Sequence, residues 1–177
     1  MINRSINMFN VPLFHFSLDW NKEIKEKIIK KAILDRPDYQ WKDGGVYTDY
    51  SNTLPAYYEY VFSVIGGALD EFYKEINIRL KVKEMFYQLY KKGSYHLVHN
   101  HGSLGFSGIL FVSFNEDLHT ATRFYSPFSN FIDGSVIGYR PVVKEGDLLI
   151  WPSSILHEAE SNHSEEERII ISFNLSN

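Results

Sequence analysis

Cysteine is absent from this chain of 177 residues, which excludes disulfides, thiolate metal ligands and thiol nucleophiles. Long apolar runs are absent too: nothing approaches the ~20 residues that a membrane-spanning helix needs. The opening stretch, "MINRSINMFNVPLFHF", lacks the continuous apolar core and cleavage-site pattern of a signal peptide. A soluble, cytoplasmic protein is the simplest expectation. Basic charge is scarce as well. Lys and Arg total 18 against 22 Asp and Glu, a formal net charge of −4, so duplex nucleic acid is a poor default partner. The lysine-dense run "KEIKEKIIKK" has apolar residues at helical spacing and reads as a solvated helix face. Internal repeats, low-complexity tracts and linkers are missing, so residues 1–177 are expected to form one domain.

What is present is enough apolar material for a sizeable core, 44% of the chain with 16% aromatic. The first half reads mostly helical. After Asp19, a candidate N-cap, the residues Ile24, Ile28, Ile29, Ala32 and Ile33 recur at helix spacing, with Pro37 just beyond the end. Residues 36–53 are turn-rich and read as a loop with room for a short strand. Pro55 suits the first turn of a second helix, whose stripe is Tyr58, Val61, Phe62, Ile65, Leu69, Phe72 and Ile76. Gly66 and Gly67 interrupt its propensity and would permit close packing against a sheet. From about residue 79 the pattern changes. "IRLKVKEMFYQLY", "GFSGILFVSF", "ATRFYSP", "GDLLIWPS" and "RIIISFNL" are β-rich runs bounded by turn residues. Helices followed by strands predict an α+β protein, with 1–80 mainly helical support and 81–177 a barrel or double-sheet jelly roll.

Three of the seven histidines fall within "HLVHNH", residues 96–101. In a strand, side chains two apart share a face, so His99 and His101 point the same way and can grip one metal ion. A hydrogen-bonded pair at a strand rim is the plainer alternative. Far downstream, "EGDLLIWPSSILHEAESNHSEEERIIISFN" places His157 after an apolar strand and Arg168 at the mouth of another. The two would lie on neighbouring strands if residues 162–167 form the connecting turn. A guanidinium at Arg168 can clamp a carboxylate bidentately, or pair with Glu165, Glu166 or Glu167 on the surface.

Taken together these segments resemble the Fe(II)- and 2-oxoglutarate-dependent oxygenases, and more closely a bacterial and phage group of them. The likeness runs through His99-Asn100-His101, Ser107-Gly108-Ile109-Leu110-Phe111-Val112 and Phe124-Tyr125-Ser126-Pro127. It continues through Glu145-Gly146-Asp147-Leu148-Leu149-Ile150-Trp151-Pro152-Ser153, His157 and Glu167-Arg168-Ile169-Ile170-Ile171-Ser172-Phe173-Asn174, covering about residues 86–175. It implies a double-stranded β-helix, a cupin-like jelly roll flanked by N-terminal helices, with Fe(II), 2-oxoglutarate and O₂ as cofactors. It implies His99 and His157 as metal ligands and catalytic residues. Arg168 would be the partner of the far carboxylate of 2-oxoglutarate. The run "YKKGSYHLVHNH" is similar to a prolyl-hydroxylase-like segment in which Tyr90 and His96 would donate hydrogen bonds to the cosubstrate. In a regular strand His96 would face away from His99, so a bulge or turn near Gly93 is required. Tyr90 is otherwise a core aromatic.

The superfamily carries a carboxylate two residues after its first histidine; here His101 stands there. Three neutral imidazoles would leave iron about one charge more positive than two histidines and a carboxylate do. His101 is then either a third ligand or a bystander. The implied activity is hydroxylation of a substrate coupled to oxidative decarboxylation of 2-oxoglutarate to succinate. Two alternatives stay open: a three-histidine, cupin-type dioxygenase working without 2-oxoglutarate, and a non-catalytic jelly-roll binding or structural protein.

The substrate, a small molecule or a protein side chain, is expected to approach from loops 36–53 and 115–141. Their aromatics Tyr39, Trp41, Tyr47, Tyr50, Phe128 and Phe131 would shape its pocket or cap the barrel. His15 reads as a buried, satisfied histidine; His119 and His163 read as solvated loop residues. Glu116 or Asp117 would be the nearest source of a missing carboxylate. No membrane partner is expected, and a homodimer is one arrangement left open.

Overall fold

The computed structural model describes residues 9–33, 40–41, 44–50 and 54–177. Along the chain run β1 (Phe14–Ser17), α1 (Lys22–Ile33), β2 (Tyr47–Thr48), α2 (Tyr58–Ile76), β3 (Lys81–Tyr90), β4 (His96–His99) and β5 (Phe106–Ser113). Then come β6 (Arg123–Ser129), β7 (Val136–Tyr139), β8 (Asp147–Pro152), β9 (His157–Ala159) and β10 (Arg168–Ser176). All pairings are antiparallel. A six-stranded sheet has the order β1-β8-β5-β10-β3-β2, and a four-stranded sheet the order β4-β9-β6-β7. From β3 onward the chain passes back and forth between the sheets, interrupted only by the β6–β7 hairpin within the small sheet, as in a double-stranded β-helix, and the expected α+β jelly roll is what forms.

The alternation of side chains in the large sheet divides the molecule into two apolar layers. On β3 the residues Met85, Tyr87 and Leu89 face the helices, as do Leu110 and Val112 of β5, and Ile169, Ile171 and Phe173 of β10. They pack against the α2 stripe of Val61, Ile65, Leu69 and Phe72, which follows the predicted helical face. The opposite set, including Tyr90, Ile109, Phe111, Leu149, Trp151 and Ile170, faces the small sheet. Each fully buried large apolar side chain contributes about 1.5–3 kcal/mol, so the helices fix the outer face of the sheet whose inner face forms the cavity.

Two motifs gain a packing explanation. Gly108 sits directly opposite Phe173 across β5 and β10, and a Cβ there would lie 2.2 Å from the Phe173 ring. The Ser-Gly and Ser-Phe-Asn motifs are therefore two halves of one contact, a ring laid over a bare backbone. The Glu145-Gly146-Asp147 turn docks the N-terminal segment. Glu145 accepts from Trp20 Nε1 (3.1 Å) and Lys25 Nζ (2.6 Å), and Asp147 from Ser17 Oγ (2.8 Å). Gly146 takes φ +85°, and Trp20 fills the space beside it.

Several expectations need correction. The cap of α1 is Asn21, whose Oδ1 accepts from Ile24 N at 3.0 Å, because the helix starts two residues later than Asp19 would require. Pro55 precedes α2 by a turn, its carbonyl accepting from Tyr58 N. Gly66 and Gly67 meet nothing within 4 Å of where a Cβ would stand, so they mediate no close packing. The segment 115–141 holds β6 and β7 as well as loops, and β1 and β2 extend the large sheet from within the first 80 residues. His119 is buried, its ring bonded to Asn115 N (3.0 Å) and the Glu166 carbonyl (3.1 Å). His15 is satisfied by Asp147 at 2.8 Å, though over a third of its side chain is exposed. Pro37 and Tyr39 lie outside the described residues.

Candidate metal centre

The small sheet begins with two short strands, and their register sets the site. His99 of β4 pairs directly with His157 of β9, bringing two imidazoles from distant segments together with ring centroids 4.3 Å apart and planes tilted by 52°. His101, two residues past His99, returns over them because its N–H is tied to the Ser153 carbonyl at 2.9 Å. Its ring lies 5.1 Å from His99 and 5.2 Å from His157. The ligating nitrogens of the three all lie within 4.8 Å of one another. Glu116 and Asp117 are exposed and take no part.

Hydrogen bonding fixes which nitrogen of each strand histidine is free. His99 Nδ1 is 2.6 Å from the Leu97 carbonyl, and His157 Nδ1 is 2.9 Å from the Ile155 carbonyl. A carbonyl can only accept, so both Nδ1 atoms carry the proton and both Nε2 atoms present lone pairs. Metal-binding histidines are oriented in this way. The donor set therefore fits a first-row divalent ion, with imidazoles neutral and aimed.

His96 is the opposite tautomer. Ser172 Oγ donates to Gln88 Oε1 (2.6 Å), which turns Gln88 Nε2 toward His96 Nδ1 at 3.2 Å. His96 thus accepts at Nδ1 and carries its proton on Nε2, as a neutral donor rather than a ligand. The register shift between His96 and His99 supplies the irregularity that the sequence required. It stacks the His96 ring on His99 at 3.9 Å and turns it into the cavity.

Burial is the first cause of depressed basicity throughout the cluster, and in His96, His101 and His157 the neighbouring imidazoles add to it. His96 and His157 are pushed down to about 3 and His101 to about 4. An unfolded histidine titrates near 6.5, so between pH 6.5 and 5 the unfolded chain takes up protons that the folded one refuses. Folded stability therefore falls as pH drops through that window and is flat from these groups above it. The thermal midpoint of metal-free protein should decline between pH 6.5 and 5, above the carboxylate range; an unchanged midpoint would contradict the buried, neutral cluster.

Behind the histidines lies a cavity of about 180 Å³. Its walls follow the inward parity of β3 and β10. Tyr90, Gln88 and Phe86 line it from one strand, and Ile170, Ser172 and Asn174 from the other, with Trp151 and Thr122 closing the sides. Arg168 pairs with Tyr90 in register at the deep end. Its guanidinium lies 4.1 Å from the Tyr90 ring centre and donates to the carbonyls of Thr120 (2.8 Å) and Glu160 (3.3 Å). Arg168 itself stands behind Tyr90 and does not line the cavity. Burial lowers its basicity and raises the Tyr90 hydroxyl to about 12. At 2% exposure it makes no ion pair with Glu165, Glu166 or Glu167, which removes the surface-pair alternative. Nor do Arg168 and His157 share a sheet; β9 and β10 belong to opposite sheets, joined by residues 160–167.

Of the expected pocket aromatics, Trp41 and Tyr50 line the cavity. Tyr47 lies under Lys91 Nζ, while Phe128 and Phe131 are exposed away from it. The sequence reading missed Gln88, Ser172 and Trp151. The first two could have been found by counting in steps of two from Tyr90 and Arg168.

Fold and site together define a jelly-roll protein with a cluster of three imidazoles placed so that they could hold a metal ion. Residues 84–174 match the family described as "Putative 2OG-Fe(II) oxygenase", just over half of the chain. The chain belongs to that family, whose cofactors are Fe(II) and 2-oxoglutarate. No curated protein matches it in sequence. Among solved structures, a Pseudomonas putida prolyl-4-hydroxylase is 13% identical with a TM-score of 0.62, covering 93% of this chain and 92% of its own. The viral collagen prolyl hydroxylase of Paramecium bursaria Chlorella virus-1, solved with 2OG, is 14% identical with a TM-score of 0.63 over 92% and 94%. The epimerase SnoN from nogalamycin biosynthesis, in complex with Fe3+, alpha ketoglutarate and nogalamycin RO, reaches 0.70 at 9% identity over 93% and 78%. These likenesses establish the double-stranded β-helix. No described helix is long and apolar enough to cross a membrane.

Proposed function

We propose that the protein hydroxylates a C–H bond of its substrate while 2-oxoglutarate is oxidatively decarboxylated. The observation that supports this best is the pair of Nε2 lone pairs of His99 and His157, locked by backbone carbonyls and joined by His101, in front of a cavity that ends at Tyr90, with the buried Arg168 behind that ring. Iron with 2-oxoglutarate and O₂, when bound, supplies the oxidising power, giving succinate, CO₂ and an alcohol. The chain's own residues orient and exclude. Three neutral imidazoles, His99, His101 and His157, would hold the metal without adding negative charge. Arg168 attracts the far carboxylate of the cosubstrate to the deep end, and Tyr90, whose hydroxyl stays protonated, lines the approach. His96 offers its Nε2–H beside the metal, held in that tautomer by Gln88 and Ser172. Trp151 and Phe124 pack on His157, with centroids at 4.9 and 6.0 Å, and keep water from its far side.

The test is anaerobic titration with Fe(II) and 2-oxoglutarate. A visible charge-transfer band of the chelated keto acid is expected. Well-folded, iron-loaded protein that shows no such band rejects the reading.

A further inference from the structure

The mouth of the cavity differs in chemistry from its depths. Following β3 outward from Arg168's partner Tyr90, the inward positions are Gln88, Phe86 and then Glu84. Phe86, Tyr50 and Trp41 form a trio there, with centroid separations of 4.9 Å for Tyr50–Phe86 and 6.2 Å for Trp41 with each of the others. Every pair meets edge to face, at 64–83°, so the rings are not stacked flat on one another and all three reach the cavity wall. Glu84 stands beside this trio. Its carboxylate accepts from Asn174 Nδ2 at 2.7 Å and lies against the Tyr50 hydroxyl, which burial and then that negative charge hold above its ordinary basicity. Glu84 thus stands at the rim, outside the cavity wall itself, whereas Glu158 lines the wall and accepts from the Tyr125 hydroxyl. Neither carboxylate is ion-paired with Lys or Arg among the described residues, and no described Lys or Arg lines the cavity.

An apolar substrate would gain nothing from one carboxylate in the wall and another at the rim, and an anionic one would be repelled by both. A cation is attracted twice, by the negative faces of the rings and by the acids at the rim. We propose that the substrate of this site carries an ammonium or guanidinium group, seated against Trp41, Tyr50 and Phe86 and balanced by Glu84. The proposal rests on the oxygenase reading of the same site. It places opposite charges at the two ends: an anionic cosubstrate toward Arg168 and a cationic group toward Glu84. A free amine and a lysine or arginine side chain share this chemistry.

The test compares choline with its neutral isostere 3,3-dimethylbutan-1-ol, followed by tryptophan fluorescence in the full chain loaded with Fe(II) and 2-oxoglutarate under anaerobic conditions. Choline should bind at least about tenfold more tightly, the scale of a desolvated cation–π contact. That preference should fall several-fold in Glu84→Gln, and again in Tyr50→Leu should the first variant misfold. Equal binding of both probes, or binding of neither, overturns the proposal. The keto-acid band recorded in the same cuvette separates the two failures: band present without cation preference sinks this inference alone, and band absent sinks the oxygenase reading. Stimulation of 2-oxoglutarate decarboxylation by free amines, or only by lysine- or arginine-containing peptides, then tells the two sources apart. Stimulation by uncharged compounds alone also overturns it.

Discussion

Replacing His157 with alanine should abolish 2-oxoglutarate turnover and weaken Fe(II) binding by more than about 100-fold, while the fold survives. Loss of even a hydrogen bond supporting a metal ligand costs about 10–100-fold, and here the ligand itself goes. His157 is 3% exposed and its Nδ1–H satisfies the Ile155 carbonyl, so truncation also strands one acceptor and opens a small void, about 1–3 kcal/mol of stability. Circular dichroism and metal analysis on the same sample separate the two effects. His99→Ala should behave alike, since the two rings are cross-strand partners with matching Nδ1 bonds. His101 differs: it lies beyond β4 and is held through its backbone N–H. His101→Asp should therefore keep the metal and support turnover, whereas His101→Ala should lose most of both. Wild-type iron affinity in His157→Ala would remove the metal centre from the proposal.

The sequence revealed most of this architecture because its strands are buried on both faces of a sheet. "GILFV", "LLIW" and "IIISF" form continuous apolar runs bounded by turn residues, and each became a strand. Short, exposed or irregular elements were not legible. All four residues of β7 are exposed, so no burial pattern marks it, and β9 has only three residues. His99 and His157 could be named because the distance between their segments and the order of motifs match a known arrangement. Their tautomers could not, since those depend on carbonyls placed by the fold. His96 shows the boundary well. A bulge was required to turn it inward, and only coordinates reveal the register shift that does so. Gly66 and Gly67 show the reverse, a pattern whose packing explanation fails because the helix turns them to open space.

Arg168→Met should raise the dissociation constant of 2-oxoglutarate roughly 100-fold, about 3 kcal/mol, and leave Fe(II) affinity unchanged. The reasoning begins from cost. A guanidinium at 2% exposure that meets two carbonyls, an aromatic face and no direct ion pair is an expensive thing to bury. Methionine, close in length and unbranched, removes the cost of the buried charge but strands the Thr120 and Glu160 carbonyls, so the melting temperature of the protein without cosubstrate should change little. What the charge provides is attraction for an anion at the deep end of the cavity, where low polarisability strengthens it. Arg168→Lys should recover part of the affinity, because the charge returns without the planar fork. The pattern to look for in calorimetry is weakened cosubstrate binding, an intact metal site and a nearly unchanged melting point in one variant. Unaltered 2-oxoglutarate binding in Arg168→Met would show that the arginine is structural. Substrate oxidation that persists there without consumption of 2-oxoglutarate would instead favour a three-histidine dioxygenase working on its metal and O₂ alone.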